Sequence, residues 1–321
     1  MKLILGVDVS KDYLDVAYRN EKGYQTKRYA HNTAKSAKKI ATDFKGIEIH
    51  VVMEVTGTYG MKLAQGFHEI GIPVSMVNPL CIKRFGQMKL RRAKTDAYDA
   101  QLIAEYGETQ ELRIWAPKPE AQERLLQVVR SLDDLQVMKT EVKNRQEAAR
   151  QLVFREESCE SALRCILKSI EKNIASLKRT LSQLLQTHYA EPARLLESIS
   201  GIGIMTIGNL IAHCGTFENF ATASQVVAFA GLNPAPHQSG TSVRGRGGIS
   251  KRGHAALRRM LYMGALSAIL HNKSCRELYL RLIAKGKLTR VALIAVAHKL
   301  LRQAFGVLKG GIPFQQDFLR I

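Results

Sequence analysis

The sequence predicts an α/β domain with a mixed sheet, followed by two long helices and a mainly helical C-terminal part. Short β-type runs alternate with helical runs over residues 3–114, which is the ordering of an α/β layer fold. Glycine is absent from residues 119–188, where apolar residues recur three and four positions apart. Gly-rich turns between apolar helices begin after Pro192. We therefore expect three units, which are residues 1–115, 116–190 and 191–321.

The first unit is predicted as a three-stranded meander that continues into alternating helices and strands. An Asn20–Gly23 turn joins the second and third strands of the meander. The predicted strands are Leu3–Val9, Tyr13–Arg19, Gln25–Ala30, Glu48–Val55 and Pro73–Val77. The predicted helices are Ala34–Phe44, Tyr59–Ile70 and Thr95–Tyr106. This order favours a mixed sheet, because a helix between two strands lets them run parallel.

Two apolar stripes predict two long helices in the second unit, arranged as a helical hairpin or coiled coil. The first stripe consists of Leu125, Val128, Leu132, Leu135, Met138 and Val142. The second stripe consists of Leu163, Leu167, Ile170, Ile174, Leu177, Leu181 and Leu184. Two amphipathic helices packed on one globular core are the alternative arrangement.

The third unit is predicted to be mainly helical. A Gly-rich turn over residues 199–203 leads into an apolar helix that ends near Cys214. This turn is similar to the hairpin of helix-hairpin-helix modules, whose backbone N–H groups bind phosphate, and a plain turn between helices is the alternative. The Gly- and Arg-rich stretch over residues 234–253 has no periodicity and is predicted to be a loop, and helices resume at about Ala255–Ile269 and Thr289–Leu308.

The charge balance favours a polyanionic partner, and nucleic acid is the leading candidate. The chain has 48 Lys and Arg against 28 Asp and Glu, a formal net charge of +20. Hydrophobic residues make up 45% and charged residues 24%, which excludes the disordered, collagen-like and mucin-like classes.

The cysteines and the apolar runs indicate a protein of a reducing cytoplasm. Five scattered cysteines without a C-x-x-C pair argue against a disulfide framework and against a structural zinc site. The N-terminal apolar run is too short for a signal peptide, and no uninterrupted apolar run approaches membrane-spanning length. We therefore expect a cytoplasmic protein with no membrane partner.

Four carboxylates occupy unusual positions in the first unit. Asp8 interrupts an apolar strand and Glu54 closes another, although a buried carboxylate needs a cation or hydrogen-bond donors nearby. Asp96 and Asp99 lie three apart, so their like charges share one face of a helix. A shared divalent metal compensates such repulsion, and so does the helix N-terminus with a Thr95 cap, which is the ordinary structural explanation.

The set of oxygen donors predicts Mg²⁺ as the ion. Two Mg²⁺ ions roughly 3.5–4 Å apart stabilise both the entering and the departing oxygen of a phosphodiester displacement. Arg91, Arg92 and Lys94 lie directly before Asp96 and provide positive charge for phosphate, although a solvated loop is the alternative interpretation.

Short motifs in a fixed order span nearly the whole chain. The N-terminal ones are Gly6–Lys11, Glu54–Tyr59, Val77–Pro79 and Lys94–Ala100. The C-terminal ones are Ser198–Gly203, Ala228–Pro234, Ser239–Gly245 and Ser250–His254. Together they resemble the DEDD-type insertion-sequence transposases of the IS-one-ten family.

The resemblance implies both a fold and a mechanism. The N-terminal domain looks like the RNase H-like, RuvC-like fold of Holliday-junction resolvases, and its acidic tetrad consists of Asp8, Glu54, Asp96 and Asp99. By the same resemblance Ser239 is the nucleophile that becomes covalently joined to DNA. A structured non-coding bridge RNA guides such enzymes to donor and target DNA in a bacterial or archaeal cell. Their dimers pair into tetramers, and the serine of one subunit completes the tetrad of another.

The residues around Ser239 fit this role without proving it. A flexible Ser/Gly loop is the default interpretation of residues 237–242, and Ser242 is a competing nucleophile. The basic residues nearby, which neutralise phosphate charge, are Arg244, Arg246, Lys251 and Arg252. A serine hydroxyl needs a base or a metal, and this loop contains no carboxylate. The helix with Arg258, Arg259 and Tyr262 adds positive charge and one aromatic ring for contact with nucleic acid.

Four functions are compared on these observations. The first is a transposase or recombinase that works through a phosphoserine intermediate. The second is a metal-dependent junction endonuclease in which water is the nucleophile and Ser239 has no role in the reaction. An actin-like sugar or acetate kinase is disfavoured by the basic charge and by the lack of a second phosphate loop. A binder of RNA or DNA without catalytic activity is disfavoured by the acids at the strand ends.

Overall fold

The structure, a computed structural model, describes residues 2–30, 33–55, 57–90, 95–235, 238–239, 243–244, 248–250 and 253–315. The chain forms two compact units, residues 1–118 and 119–321. The boundary between them lies close to the one predicted after residue 115. The two long helices share a hydrophobic core with the helices that follow, so the structure has two units where the sequence predicts three.

The first unit contains a five-stranded mixed sheet with the order β3-β2-β1-β4-β5. Its strands are β1 (Leu3–Val9), β2 (Tyr13–Asn20), β3 (Gly23–Ala30), β4 (Ile49–Glu54) and β5 (Val74–Val77). The first three strands form an antiparallel meander, whereas β4 runs parallel to β1 and β5 runs parallel to β4. This is the strand arrangement of the RNase H-like fold. The predicted mixed sheet and the fold implied by the resemblance are therefore confirmed.

Helices cover both faces of this sheet. They are α1 (Ala34–Asp43), α2 (Met61–Glu69), α3 (Pro79–Met88) and α4 (Asp96–Thr109). Side chains alternate along a strand, so Leu5, Val7 and Val9 of β1 face the apolar layer of α1 and α2. The opposite face packs against α3 and α4 through residues such as Ile4 and Val52.

Helix α3 is absent from the sequence prediction, although its start signal is present in the sequence. The Asn78 side chain accepts a hydrogen bond from the backbone N–H of Leu80 at 2.9 Å, and Pro79 occupies the first helical position. An Asn cap followed by Pro is a strong helix-start signal. The prediction uses Val77–Pro79 only as a motif of the family resemblance, so no helix is predicted from it.

Gly6 lets α4 lie directly on the middle of β1. A Cβ at Gly6 would lie 2.2 Å from the backbone nitrogen of Ala104 and 2.3 Å from the carbonyl oxygen of Ala100. Any larger residue would push the helix away from the sheet, because neither backbone atom can give way. The small side chains of Ala17, Ala100 and Ala104 complete this contact.

The second unit is built from helices around one hydrophobic core. They are α5 (Glu120–Arg150), α6 (Glu157–His188), α7 (Ala190–Glu197), α8 (Ile204–Cys214), α9 (Ala223–Ala230), α10 (Ala255–His271), α11 (Lys273–Ala284) and α12 (Thr289–Gly310). Helices α5 and α6 pack against each other, and Leu125 and Leu181 of the predicted stripes are buried in the common core. The first stripe is only partly correct, because Met138 is 50% exposed and Val129, which it does not contain, is buried. Helices α7, α9 and α11 are additions to the prediction.

Helix α12 is the one described helix long and apolar enough to cross a membrane by length and composition. Its buried residues include Leu293, Leu300 and Leu301, which belong to the common core. The helix packs against α9, α10 and α11, as a core helix of a folded unit does.

The stretch over residues 234–253 contains short strands where the sequence predicts a loop. Strands β6 (Pro234–Ala235) and β9 (Gly248–Ile249) pair antiparallel, and so do β7 (Gln238–Ser239) and β8 (Val243–Arg244). Two-residue pairs leave no room for a period, so hydrophobic alternation does not reveal them.

Candidate functional site

The sheet alternation places two of the predicted acids on the α4 face. Asp8 follows Ile4 and Gly6 at spacings of two along β1, and Glu54 follows Val52 along β4. The parallel pairing of β1 with β4 sets Val7 opposite Met53, so Asp8 and Glu54 are the next residues on neighbouring strands. Both acids therefore occupy the carboxyl ends of adjacent parallel strands.

The other two acids begin helix α4. Asp96 and Asp99 lie in its first turn, and the Thr95 side chain caps the helix by accepting a hydrogen bond from the N–H of Tyr98 at 3.3 Å. The cap that the sequence offered as an ordinary explanation is thus present. It does not exclude a functional role, because the same turn lies on the sheet face that carries Asp8.

The electrostatics of Asp8 show that the tetrad members are near one another. Burial, which is the largest cause, and the negative charges of Asp99, Asp96 and Glu54, in that order, together raise the pKa of Asp8 to about 6. A bound divalent cation reverses this effect, because it favours the charged form of each carboxylate. The four acids that were chosen separately from the sequence therefore share one electrostatic environment.

A fifth carboxylate, Asp15, belongs to this environment and was missed in the sequence. Asp15 lies on β2 directly opposite Asp8, is only 3% exposed, and also raises the pKa of Asp8. Arg28 of β3 pairs with it through two hydrogen bonds of 2.9 and 2.7 Å. Counting back from the predicted Asn20–Gly23 turn sets Asp15 opposite Arg28, so the hairpin register was the signal that could have revealed the pair.

Two side chains of the meander also reach Asp96. The Tyr13 hydroxyl donates a hydrogen bond to Asp96 Oδ2 at 2.8 Å. Arg28 Nη2 lies 3.8 Å from the same oxygen, and the Arg28 guanidinium carbon lies 4.2 Å from the centre of the Tyr13 ring. Tyr13, Arg28 and Asp15 thus connect the first turn of α4 to the sheet.

The donor set suits a hard divalent cation. All four predicted donors are carboxylate oxygens, which Mg²⁺ and related ions prefer. A bound cation would also offset the repulsion that raises the pKa of Asp8. Among the described residues, no group of three His, Cys, Asp or Glu side chains is already arranged to hold a metal ion. Agreement with a metal centre therefore rests on donor chemistry and not on a closed coordination shell.

The predicted nucleophile is described only in its backbone, and most of the predicted phosphate-binding residues lie outside the described parts of the chain. Ser239 lies in β7 opposite Val243, and only the backbone of Ser239 and Arg244 is described. The predicted residues that lie outside the described parts of the chain are Arg91, Arg92, Lys94, Arg246, Lys251 and Arg252.

The two remaining predicted basic residues have partners inside the second unit. Arg258 donates hydrogen bonds to the carbonyl oxygens of Ala230 and Gly253, at 3.0 and 3.1 Å. Arg259 forms an ion pair with Asp133 of α5 at 2.6 Å. Both arginines therefore hold α10 in place, which is a role that a basic pattern on a helix does not reveal.

A largely apolar groove with four cationic side chains in its lining was also missed in the second unit. It has a volume of about 1610 Å³ and runs along one face of α12, beside α10 and α11. Its cationic lining residues are Arg281, Arg290, Lys299 and Arg302. In the described part of the chain no Asp or Glu side chain lines it, and Tyr262, Phe305 and Phe314 add aromatic rings. The sequence offers no clear signal for this groove, because Arg290 and Lys299 are nine residues apart and so do not share one face of an isolated helix.

Two family models match separate parts of the chain. A model described as Transposase, of the DEDD type named for IS110, matches residues 5–155. A model described as Transposase IS116/IS110/IS902 family matches residues 193–280. The first match contains the whole acidic tetrad, and the second contains Ser239 and the start of α11.

Relatives are similar to the chain from end to end. The pilin gene-inverting protein of Moraxella bovis is 28% identical over 330 residues, which cover 98% of this chain and 98% of that protein. The transposase for insertion sequence element IS1111A of Coxiella burnetii is 25% identical and covers 92% of this chain and 86% of its own length. Among solved structures, T. thermophilus RuvC in complex with Holliday junction substrate is matched over 36% of this chain and all of its own, with 12% identity and a TM-score of 0.28. Since both family models are named for the same elements and together account for most of both units, the chain belongs to the IS110 family of insertion-sequence transposases.

Proposed function

We propose that this transposase cuts and exchanges DNA strands by metal-assisted phosphoryl transfer, with the acidic tetrad as the ligands of divalent metal. The supporting observation is that acids from two strand ends and one helix start lie on one face of the sheet and act electrostatically on Asp8. When bound there, Mg²⁺ supplies charge stabilisation for the entering and leaving oxygens of a phosphodiester.

The protein's contribution is to hold these carboxylates in place before DNA binds. Asp8 and Glu54 are fixed by the hydrogen-bonded ladder of β1 and β4, which is more rigid than a loop. Asp96 and Asp99 are fixed by a capped helix that packs on Gly6 without intervening side chains. Prearranged charge of this kind costs no reorganisation during the reaction.

Ser239 is the proposed nucleophile. Its Oγ forms a bond to phosphorus while one bond between phosphorus and a deoxyribose oxygen breaks. The serine proton passes to water, and the departing deoxyribose oxygen takes a proton from water and leaves as a DNA hydroxyl. A hydroxyl of another strand then attacks the same phosphorus and restores the serine. The support for this residue is its place in the Ser239–Gly245 motif of the resemblance and its neighbourhood of Arg and Lys in the sequence.

The decisive experiment looks for covalent protein–DNA adducts. Purified protein with any co-purifying RNA is incubated with Mg²⁺ and end-labelled donor and target DNA, and adducts are resolved on denaturing gels. Ser239→Ala is expected to abolish the adduct and the matched Ser242→Ala to retain it, whereas Asp8→Asn abolishes both adduct and cutting. An adduct that persists in Ser239→Ala contradicts the assignment of the nucleophile.

A metal-dependent endonuclease without a covalent intermediate is the second candidate. The tetrad supports it equally, because water is an adequate nucleophile at such a centre. The same gels separate the two functions. Under the second candidate, Ser239→Ala still cuts DNA in the presence of Mg²⁺ and no adduct forms in the unmodified protein.

Nucleic-acid binding is proposed for the basic surfaces of the chain. The groove along α12 combines cationic side chains with aromatic rings and lacks acids among the described residues, which suits a phosphate backbone with stacked bases. Arg91, Arg92, Lys94, Arg244, Arg246, Lys251 and Arg252 remain proposed phosphate contacts on the basis of the sequence.

A structured guide RNA and an assembly of dimers into a tetramer complete the proposal. Both derive from the resemblance, and the net charge of +20 supports a partner as anionic as RNA. Treatment of the purified protein with RNase before DNA is added tests the guide. Strand exchange is expected to disappear, and exchange at an unchanged rate contradicts the role of RNA.

A further inference from the structure

We propose that Tyr13 and Arg28, with Arg28 anchored by buried Asp15, orient Asp96 by its Oδ2 oxygen, so that Oδ1 is the oxygen presented to the metal. This inference rests on the proposed role of Asp96 as a metal ligand. It assigns Tyr13, Arg28 and Asp15 as positioning residues that act through Asp96.

Asp15 is the fixed point of the arrangement. Its side chain is 3% exposed, and both of its oxygens accept hydrogen bonds from Arg28, at 2.9 Å from Nε and 2.7 Å from Nη2. A bidentate contact of this kind sets the plane of the Arg28 guanidinium as well as its distance from Asp15. A buried carboxylate without a donor is costly, so Asp15 keeps Arg28 in this position.

Tyr13 restricts the same guanidinium from another side. The Arg28 guanidinium carbon lies 4.2 Å from the centre of the Tyr13 ring, which is within the range of a cation–π contact. Tyr13 and Asp15 are two apart on β2 and therefore share the α4 face with Arg28, which lies opposite Asp15 on β3. The hydrogen-bond donor Tyr13 and the ion-pair partner Arg28 of Asp96 thus both lie on strands of the meander and not on a loop.

The two contacts to Asp96 converge on one oxygen. The Tyr13 hydroxyl donates to Oδ2 at 2.8 Å, and Arg28 Nη2 lies 3.8 Å from Oδ2. Metal-ligating carboxylates are commonly held through hydrogen bonds from neighbouring residues, which fix their orientation. Among the described residues, these two contacts hold Oδ2 and leave Oδ1 for a cation.

The test measures metal affinity directly on the full chain. Binding of Mn²⁺ is followed by electron paramagnetic resonance for the unmodified protein and for Tyr13→Phe, Arg28→Gln, Arg28→Lys and Asp96→Asn. Tyr13→Phe removes one hydroxyl without a change of charge and is expected to weaken Mn²⁺ binding about ten-fold, a typical effect for such supporting residues. A Tyr13→Phe protein with unchanged affinity overturns the proposal.

Arg28→Gln separates positioning from simple electrostatics. Removal of a positive charge near the acids strengthens the attraction of a cation, so a purely electrostatic role predicts tighter Mn²⁺ binding. Positioning predicts weaker binding, again about ten-fold. Arg28→Lys retains the positive charge but lacks the planar guanidinium, so it is expected not to restore Mn²⁺ affinity. Tighter binding in Arg28→Gln, or full rescue by Arg28→Lys, overturns the proposal.

Lys27→Gln is the matched control. Lys27 is the neighbour of Arg28 on β3, but it faces α1, where its Nζ pairs with Asp43 at 2.6 Å. The Mn²⁺ affinity of Lys27→Gln is expected to be unchanged, and circular dichroism verifies the fold of every variant.

Asp96→Asn distinguishes failure of the proposed metal site from failure of the proposed positioning. If it binds Mn²⁺ normally, the tetrad itself is wrong and this inference falls with it; if only Asp96→Asn weakens binding, positioning alone is overturned.

Discussion

Asp15 illustrates how the first unit accommodates a buried carboxylate beside four other acids. Its charge is matched by one guanidinium on the neighbouring strand, and that guanidinium is itself 56% exposed. Water therefore still screens part of the pair, and its contribution to stability is smaller than that of a fully buried ion pair. The geometric consequence, a fixed direction for Arg28, is larger than the energetic one.

Arg28→Gln is expected to lower the free energy of unfolding of the first unit, because it leaves the buried Asp15 carboxylate with a weaker donor. Asp15→Asn added to Arg28→Gln removes the buried charge, so the double variant is expected to regain part of the stability that Arg28→Gln loses. Urea denaturation followed by the fluorescence of Trp115, the single tryptophan of the chain, measures both values. A double variant as unstable as the sum of both single variants contradicts the pairing.

The cysteines are expected to react with thiol reagents in two classes. Cys81, Cys159 and Cys165 are exposed, whereas Cys214 and Cys275 are buried. Burial also raises the pKa of Cys275 to about 11, which suppresses the reactive thiolate. Titration of the native protein with a thiol-specific dye should show three fast groups and two slow ones. Denaturant should release the slow pair, and rapid labelling of all five groups in the native protein contradicts the burial.

Helix α4 shows how one small residue at the element scale sets the position of the site. Gly6→Ala is expected to destabilise the first unit by about 1–3 kcal/mol or more, because the added Cβ meets backbone atoms of Ala104 and Ala100. Displacement of α4 also moves Asp96 and Asp99, so DNA cutting should fall more than the stability loss explains. Trp115 fluorescence and the adduct assay measure the two effects.

Gly60→Ala provides the matched control for that variant. A Cβ at Gly60 meets its nearest neighbour, Met53 Cε, at an ordinary 3.7 Å, and the backbone of Gly60 is helical with φ −75°. Its stability is expected to stay within about 0.5 kcal/mol of the unmodified protein, as for substitutions that create no clash. An equal loss in both variants would show that close packing at Gly6 is not the cause.

Leu181 tests whether α6 belongs to the core of the second unit. The side chain is fully buried, and its Cδ1 would lie 2.7 Å from a Cβ at Gly208 of α8. Leu181→Ala is expected to cost about 2–5 kcal/mol, in the range of buried leucine truncations. Far-UV circular dichroism under urea reports the helical second unit. Ile166→Ala on the same helix, whose side chain is 48% exposed, should cost far less.

At the scale of the whole molecule, excess positive charge should make DNA affinity strongly dependent on salt. Arg281→Gln with Arg302→Gln removes two cations from the groove and is expected to reduce the slope of log affinity against log salt by about 1–2. Fluorescence anisotropy at several salt concentrations measures the slope. Arg194→Gln, which removes an arginine already paired with Glu191 at 2.6 Å, is the control with the same charge change per site.

The sequence reveals most of the first unit because its inner strands are short, largely apolar runs, and an acid interrupts one run and closes another. Asp8 and Glu54 stand out for this reason, and helix-start chemistry locates Asp96 and Asp99. Asp15 stays hidden because an acid next to an arginine on a hairpin resembles an ordinary surface pair until the register is counted. The partners of Arg258 and Arg259 also stay hidden, since they come from distant positions, Ala230 and Asp133, that no local pattern connects.

The second unit is less predictable because its core is assembled over long distances. Apolar stripes identify α5 and α6 but do not state what they pack against, so a separate coiled coil and a shared core are equally consistent with them. Helices α9 and α11 are short and lack a strong period, and the groove beside α12 arises only when three helices are placed together.

The alternation of β1 has a consequence for insertions and deletions. Loss of a single residue between Leu3 and Gly6 would rotate every following side chain of the strand by half a turn. Asp8 would then point into the apolar layer that now holds Leu5, Val7 and Val9, while a valine would replace it beneath α4. The length of this strand is thus as strictly limited as its composition. Only insertions or deletions of two residues leave Asp8 on its own side of the sheet.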